Sequence, residues 1–234
     1  MPTLLSKPTF ARLLERQRKI SHLQPTGPML PYAGEDLVSG GGGIYFVGIA
    51  TDGDFQSDPS LSYAARIERV ARMVQSRQGA ASPFWRFIDQ VCVRSFGRPF
   101  NECPERWGWS NLVKIGASEG VPTPELAHAQ RDLCVEAFAE ELGSLRRALV
   151  VVLTAQTHGI LEAALTSLAG RPLTWDKRHT DAGIYTFDPR PHLRVLHAYH
   201  PKYAALARFF DAAAQVVCDE APAYTGLPSD HPAP

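Results

Sequence analysis

The sequence lacks a net charge. Its 24 Lys and Arg residues face 24 Asp and Glu residues over 234 positions. A protein that grips nucleic acid through a broad surface carries a basic excess. Any basic patch here must be matched by acidic surface elsewhere. Cysteines at metal-site spacing are also missing. Cys92, Cys103, Cys134 and Cys218 form no C-x-x-C pair, which leaves a zinc ribbon or ferredoxin-type cluster without support. No stretch approaches the ~20 apolar residues of a membrane span. The opening MPTLLSKPTFARLLERQRK has no apolar run of signal-peptide length. These absences read as a cytoplasmic protein with reduced thiols. No repeat at solenoid periods is visible.

What is present is ordinary for a globular domain: 44% hydrophobic and 21% charged residues. Such a chain can bury a full core. Its length fits one α/β domain over residues 1–234 better than two small ones. Residues 1–43 read as a helical and irregular lead-in. Thr9 caps a first helix through Phe10, Leu13, Leu14 and Ile20. Residues 22–43 are rich in Pro and Gly. Ile44-Tyr45-Phe46-Val47-Gly48-Ile49 is a continuous apolar run, the pattern of a buried parallel strand.

Amphipathic spacing predicts a helix over 61–78, whose arginine-rich face reads as solvated. Ser82, Pro83 and Gly97 bracket another, and Thr123 starts a long helix to about Leu142. Residues 109–113 form a candidate second strand, and Trp107 and Trp109, two apart, pack on strand faces. ALVVVL at 148–153 is the plainest strand in the chain. Two more strands are expected at 183–188 and 193–199, then a last helix over 203–217. Residues 221–234, with Pro222, Pro228, Pro232 and Pro234, read as a flexible tail. The alternation gives a three-layer αβα sandwich around a mostly parallel, four-stranded sheet.

In such sheets, ligands sit beyond the carboxyl ends of the strands. That rule selects four segments: Gly48 to Phe55, Ser110 to Lys114, Thr154 to His158 and His197 to Tyr203. They bring carboxylates, an amide, imidazoles and a lysine to one rim. His158 and His197 read as core or supporting histidines, because their spacing matches no helical metal site. No cofactor and no metal is expected.

On these segments the sequence resembles the uracil-DNA glycosylase superfamily. Members carry a first strand ending in a glycine-containing loop, a second ending in an Asn that reads the uracil edge, and a last ending in H-P-S. The matching segments are YFVGIATDGD, WSNLVKIG and VLHAYHPKYAAL, in order over roughly residues 44–217. The iron–sulfur branch has T-N-V-V-K and Y-H-P, which Ser110–Lys114 and Tyr199–Pro201 approach. Three features depart from the pattern. The first motif has no Pro, Lys202 stands where the family has Ser, and the four cluster cysteines have no counterpart.

The resemblance implies a uracil-DNA glycosylase-like fold and hydrolysis of the N-glycosidic bond of a uracil or modified base extruded from DNA. His200 would donate to the oxyanion that develops on the departing base. Asn111 offers an acceptor and a donor on one planar amide, matching a pyrimidine edge. Asp52 or Asp54 would position water. Phe55 would stack on the base, a contact worth ~1–3 kcal/mol, with Gly48 and Ile49 beside it. Gly53, Ser110, Lys202 and Tyr203 would hold phosphates. The irregular first motif leaves room for a second reading, a non-catalytic protein binding a nucleobase or single-stranded nucleic acid. The neutral total charge motivates a third, an enzyme on a free nucleotide.

Overall fold

Hydroxyl side chains begin several helices. The computed structural model describes residues 4–50, 61–76, 82–154, 156–179, 184–198 and 207–225. In α1 (Lys7–Lys19) the cap is Ser6, whose hydroxyl accepts from Thr9 N–H. The expected cap, Thr9, lies inside the first turn and donates its hydroxyl to Glu140 at 2.6 Å. Pro8 accounts for the earlier start, because its ring presets the backbone of a first helical turn. Ser62 caps α3 (Tyr63–Gln75), Ser82 caps α4 (Pro83–Phe96) and Thr123 caps α5 (Pro124–Ala129). Each presents an oxygen to an otherwise unpaired N–H. Gly97, at φ 71°, closes α4 as expected.

The lead-in is more regular than its composition implied. It holds β1 (Pro25–Pro28), β2 (Tyr32–Ala33) and the short α2 (Glu35–Ser39) before β3 (Gly43–Gly48). Next come β4 (Trp107–Asn111) and β5 (Ile115–Ala117), and α6 (Arg131–Ser144) follows α5. The rest is β6 (Ala148–Leu153), α7 (Ile160–Ala169), β7 (Asp176–His179), β8 (Ile184–Arg190), β9 (Leu193–Ala198), α8 (Ala207–Glu220) and α9 (Pro222–Thr225). Residues 221–225, expected in the tail, are tied down. Ala221 and Thr225 are buried, and Arg106 and Arg147 donate to the Thr225 and Ala223 carbonyls.

The chain is α/β. The main sheet has seven strands in the order β2-β4-β3-β6-β9-β8-β7, where four were expected. Its middle, β4-β3-β6-β9, is parallel throughout. Antiparallel strands extend both sides: β2 beside β4, then β8 and β7 beyond β9. β2 is two residues long, and β7 is DKRH with no apolar residue. Neither shows the period-two alternation by which a strand is read from sequence. β8 returns into β9 through Pro191 and His192, the latter at φ 67°. β1 and β5 form a separate antiparallel pair.

Side chains alternate across the parallel strands and feed a core on each face. Ile44, Phe46, Trp107, Trp109, Leu149, Val151 and Leu196 pack against α3, α4 and α8. Tyr45, Val47, Val150, Val152 and Val195 pack against α6 and α7. The helices on both faces make three layers. A third cluster joins α1 to β5, α5 and α6 through Phe10, Leu13, Ile115, Leu126 and Leu133. Among the described residues, no helix is long and apolar enough to cross a membrane.

Candidate functional site

The parallel register brings the carboxyl ends of four strands to one edge of the sheet. Gly48 pairs with Asn111 across β3 and β4. Val47 pairs with Val152, and Leu153 with Ala198. Beyond its end, β4 stays attached to β3. Leu112 N–H donates to the Gly48 carbonyl at 2.9 Å, and Val113 N–H to the Ile49 carbonyl at 2.8 Å. The expected pocket residues Gly48 and Ile49 thus hold the Asn111 segment through their backbone.

Asn111 is 2% exposed. Its Nδ2 donates to Met29 Sδ at 2.8 Å. Its Oδ1 lies over Gly48, where a Cβ would stand 2.7 Å from that oxygen and 3.4 Å from the Phe84 ring. Only glycine at 48 admits the amide at this distance. Phe84 opens α4 and meets Trp85 edge-on, with ring centroids 5.6 Å apart, and Trp109 at 6.5 Å. An aromatic wall therefore adjoins the Asn111 amide. In the sequence Phe84 is simply the residue after Pro83 in the helix that Ser82 and Gly97 bracket. Nothing local marks it, because its nearness to Gly48 depends on how α4 packs.

Ser110, expected to hold phosphate, is 1% exposed. Its hydroxyl accepts from Lys114 Nζ at 2.8 Å, so it faces the interior and not a rim. Lys114 is itself 1% exposed and pairs with Glu141. Neither Lys114 nor Glu141 was selected as functional. Lys114 carried a signal in its place at the end of the WSNLVK segment, while Glu141 looked like any acidic residue on a helix.

The β6 and β9 ends carry a second polar group. His197 Nε2 lies 2.7 Å from the Thr154 carbonyl, so that nitrogen bears the proton. The Trp175 ring lies against the imidazole at 5.6 Å. Burial holds the His197 pKa below its ordinary value, with the Thr154 bond and Glu162 acting the other way. Thr157 donates to Glu162 and accepts from Gly159 N–H, building the turn into α7. His158 sits in that turn at φ 49°, its carbonyl taken by Arg131. His197 is thereby held in place by the fold, and His158 joins it through its backbone.

Asp52, Gly53, Asp54, Phe55, His200, Lys202 and Tyr203 lie outside the described residues. Among the described residues, no group of three or more His, Cys, Asp or Glu side chains could hold a metal ion. What the arrangement offers is a buried carboxamide beside an aromatic ring, at the carboxyl edge of a parallel sheet. A carboxamide can pair with a planar polar edge while a ring stacks on its face. No family model matches the sequence, and no curated protein matches it.

Proposed function

We propose that this protein takes a nucleobase into the carboxyl edge of its parallel sheet, and that it is a glycosylase of the uracil-DNA glycosylase kind. The reading is carried by one observation: Asn111 ends β4 with its amide held against Gly48 and beside Phe84. The strand order supports it too. β4-β3-β6-β9 are parallel neighbours, and the His200 segment follows β9 by two residues. The substrate is uracil or a modified pyrimidine, extruded from DNA so that its edge can be reached.

Each residue has a chemical role. Asn111 pairs with the pyrimidine edge. The thioether that its Nδ2 now meets is a weak acceptor, so exchanging it for a base carbonyl costs little. Breaking the N-glycosidic bond leaves negative charge on the base, and His200 donates a hydrogen bond to that oxygen. Asp52 or Asp54 orients the attacking water and offsets positive charge on the sugar. Phe84 and Phe55 are the candidate stacking rings. Lys202, Tyr203 and Gly53 are the candidate phosphate contacts.

The test uses single- and double-stranded oligonucleotides carrying one uracil. Abasic sites are revealed by alkaline strand cleavage. Wild-type protein cleaves. His200→Ala loses about 10²–10³-fold in rate, the usual cost of one oxyanion donor. Asn111→Ala and Gly48→Ala lose activity while remaining folded, the second because its methyl displaces Oδ1. Absence of base release from both oligonucleotides defeats the glycosylase reading. Salt-dependent binding without release would instead establish a binding protein on the same scaffold.

A further inference from the structure

Behind Asn111 lies a buried ion pair that the proposed chemistry does not use. The Lys114 ammonium donates to Asn111 O at 2.6 Å and to Ser110 Oγ at 2.8 Å, and its charge pairs with Glu141 Oε1 at 2.7 Å. Its charge also lies 5.4 Å from the centre of the Phe138 ring. The other Glu141 oxygen accepts from the Tyr45 hydroxyl at 3.1 Å. Burial and the Glu141 charge raise the Tyr45 pKa well above its ordinary value, so the hydroxyl keeps its proton. Lys114 and Glu141 are 1% and 0% exposed. One closed network thus joins β3, the end of β4 and α6.

A pair so deeply buried contributes little net stability, because desolvation roughly cancels attraction. What it can supply is geometry. The Asn111 residue is held on its strand side by pairing with Gly48. On its other side, Lys114 holds the carbonyl. With both ends of the residue fixed, the side-chain amide leaves the backbone in one direction.

We infer that Lys114 and Glu141 are positioning residues that set the orientation of the Asn111 carboxamide. The meaning of that orientation for base recognition rests on the proposed function; the orientation itself does not. A compact ammonium suits this place, where two acceptors and a carboxylate gather around one nitrogen, better than the planar fork of a guanidinium.

The chain has two asparagines, Asn101 and Asn111, so protein labelled with ¹⁵N in asparagine alone shows two side-chain amide signals. Asn111→Ala identifies which is which, and Asn101 serves as the internal control. The variant examined is Lys114→Met/Glu141→Leu, which replaces the pair with apolar groups of similar size and so leaves no unpaired charge. Circular dichroism and thermal melting establish that it is folded. The expected result is a displaced Asn111 signal exchanging with solvent at least tenfold faster, with Asn101 unmoved. An unchanged Asn111 signal in the folded variant overturns the inference.

Should that variant not fold, Tyr45→Phe carries the same test, since it removes only the hydroxyl on Glu141. Faster Asn111 exchange supports the inference and unchanged exchange overturns it. If wild-type protein releases uracil, the double variant loses at least tenfold in kcat/KM with its melting temperature retained. If wild-type protein releases none, the glycosylase reading fails, while the two asparagine signals still decide the positioning role.

Discussion

His197 shows how one side chain responds to its surroundings. Its protonated nitrogen faces the Thr154 carbonyl and its ring meets Trp175. Burial favours the neutral form and lowers its pKa. In the unfolded chain the ring titrates near 6.5, so there the charged form is favoured at higher pH than in the fold. The stability contributed by the neutral ring is complete above about pH 6.5 and is lost as pH falls through the lower folded value. The melting temperature of wild-type protein should therefore drop further between pH 7 and pH 5 than that of His197→Gln. Equal drops in the two proteins would remove His197 from the account. The sequence shows that a histidine sits near the end of a strand. The carbonyl and the indole that meet it come from Thr154 and Trp175, which are distant in the chain.

At the scale of elements, Gln130 divides what reads as one long helix. Apolar spacing continues from Leu126 through Leu133 and Ala137, all buried, so the expectation of one helix to about Leu142 was reasonable. The backbone at Gln130 nevertheless leaves helical geometry, at φ −122° and ψ 4°. Its buried amide accepts from Ile115 N–H at 2.8 Å and donates to Ile115 C=O at 2.7 Å. The side chain thus pairs with β5 as a neighbouring strand would. Gln130→Ala leaves both backbone groups buried and unpaired. It should lower stability by roughly 2–4 kcal/mol in urea denaturation. A change below ~0.5 kcal/mol would mean that Ile115 finds other partners.

Other elements divide the same way. α4 was legible at both ends, because Ser82, Pro83 and Gly97 each act within a turn of their own position. β6 was legible at every residue, because an uninterrupted run of Ala, Leu and Val has one low-energy use in a buried parallel sheet. β2 and β7 were not. A two-residue strand and an edge strand without apolar residues owe their structure to the strand beside them.

At the scale of the whole molecule, several of the balancing charges among the described residues meet in local pairs. α1 meets α6 through Arg12 with Glu136 and Arg16 with Asp132. Acidic residues of α8 are matched by α4 and β9, through Asp211 with Arg94 and Glu220 with Arg194. Arg12, Arg16, Arg94 and Arg194 are thereby engaged. Charge paired in this way is less suited to a broad grip on a duplex. Thiol chemistry reads out the intact fold as well. Cys92, Cys103 and Cys134 are buried and Cys218 is partly so. Burial pushes the Cys134 thiol up to about 12 and that of Cys92 well above its ordinary range. Cys218 alone of the four keeps part of its surface open, so iodoacetamide should modify it first and spare the buried three until the protein unfolds, even though burial raises the Cys218 pKa and a bond from Cys92 lowers that of Cys103. Peptide mapping by mass spectrometry checks this. Labelling of Cys92 or Cys134 in folded protein at the rate of a free thiol would contradict the buried placement.

The sequence by itself determined the α/β class, the strands β3, β6 and β9, and the residues at their carboxyl ends. These follow from caps and apolar runs, whose effects reach a few residues. It also placed Asn111 on a strand, expected over 109–113, whereas the structure runs β4 over Trp107–Asn111 and ends it at that residue. Only the tertiary structure decided which way the side chains there face. Ser110 turned inward to a lysine, Asn111 settled against Gly48 and Phe84, and Glu141 came to hold Tyr45 from 96 positions away. A buried polar group must find partners wherever the fold brings them. That search runs through space, and the order of residues along the chain does not disclose its result.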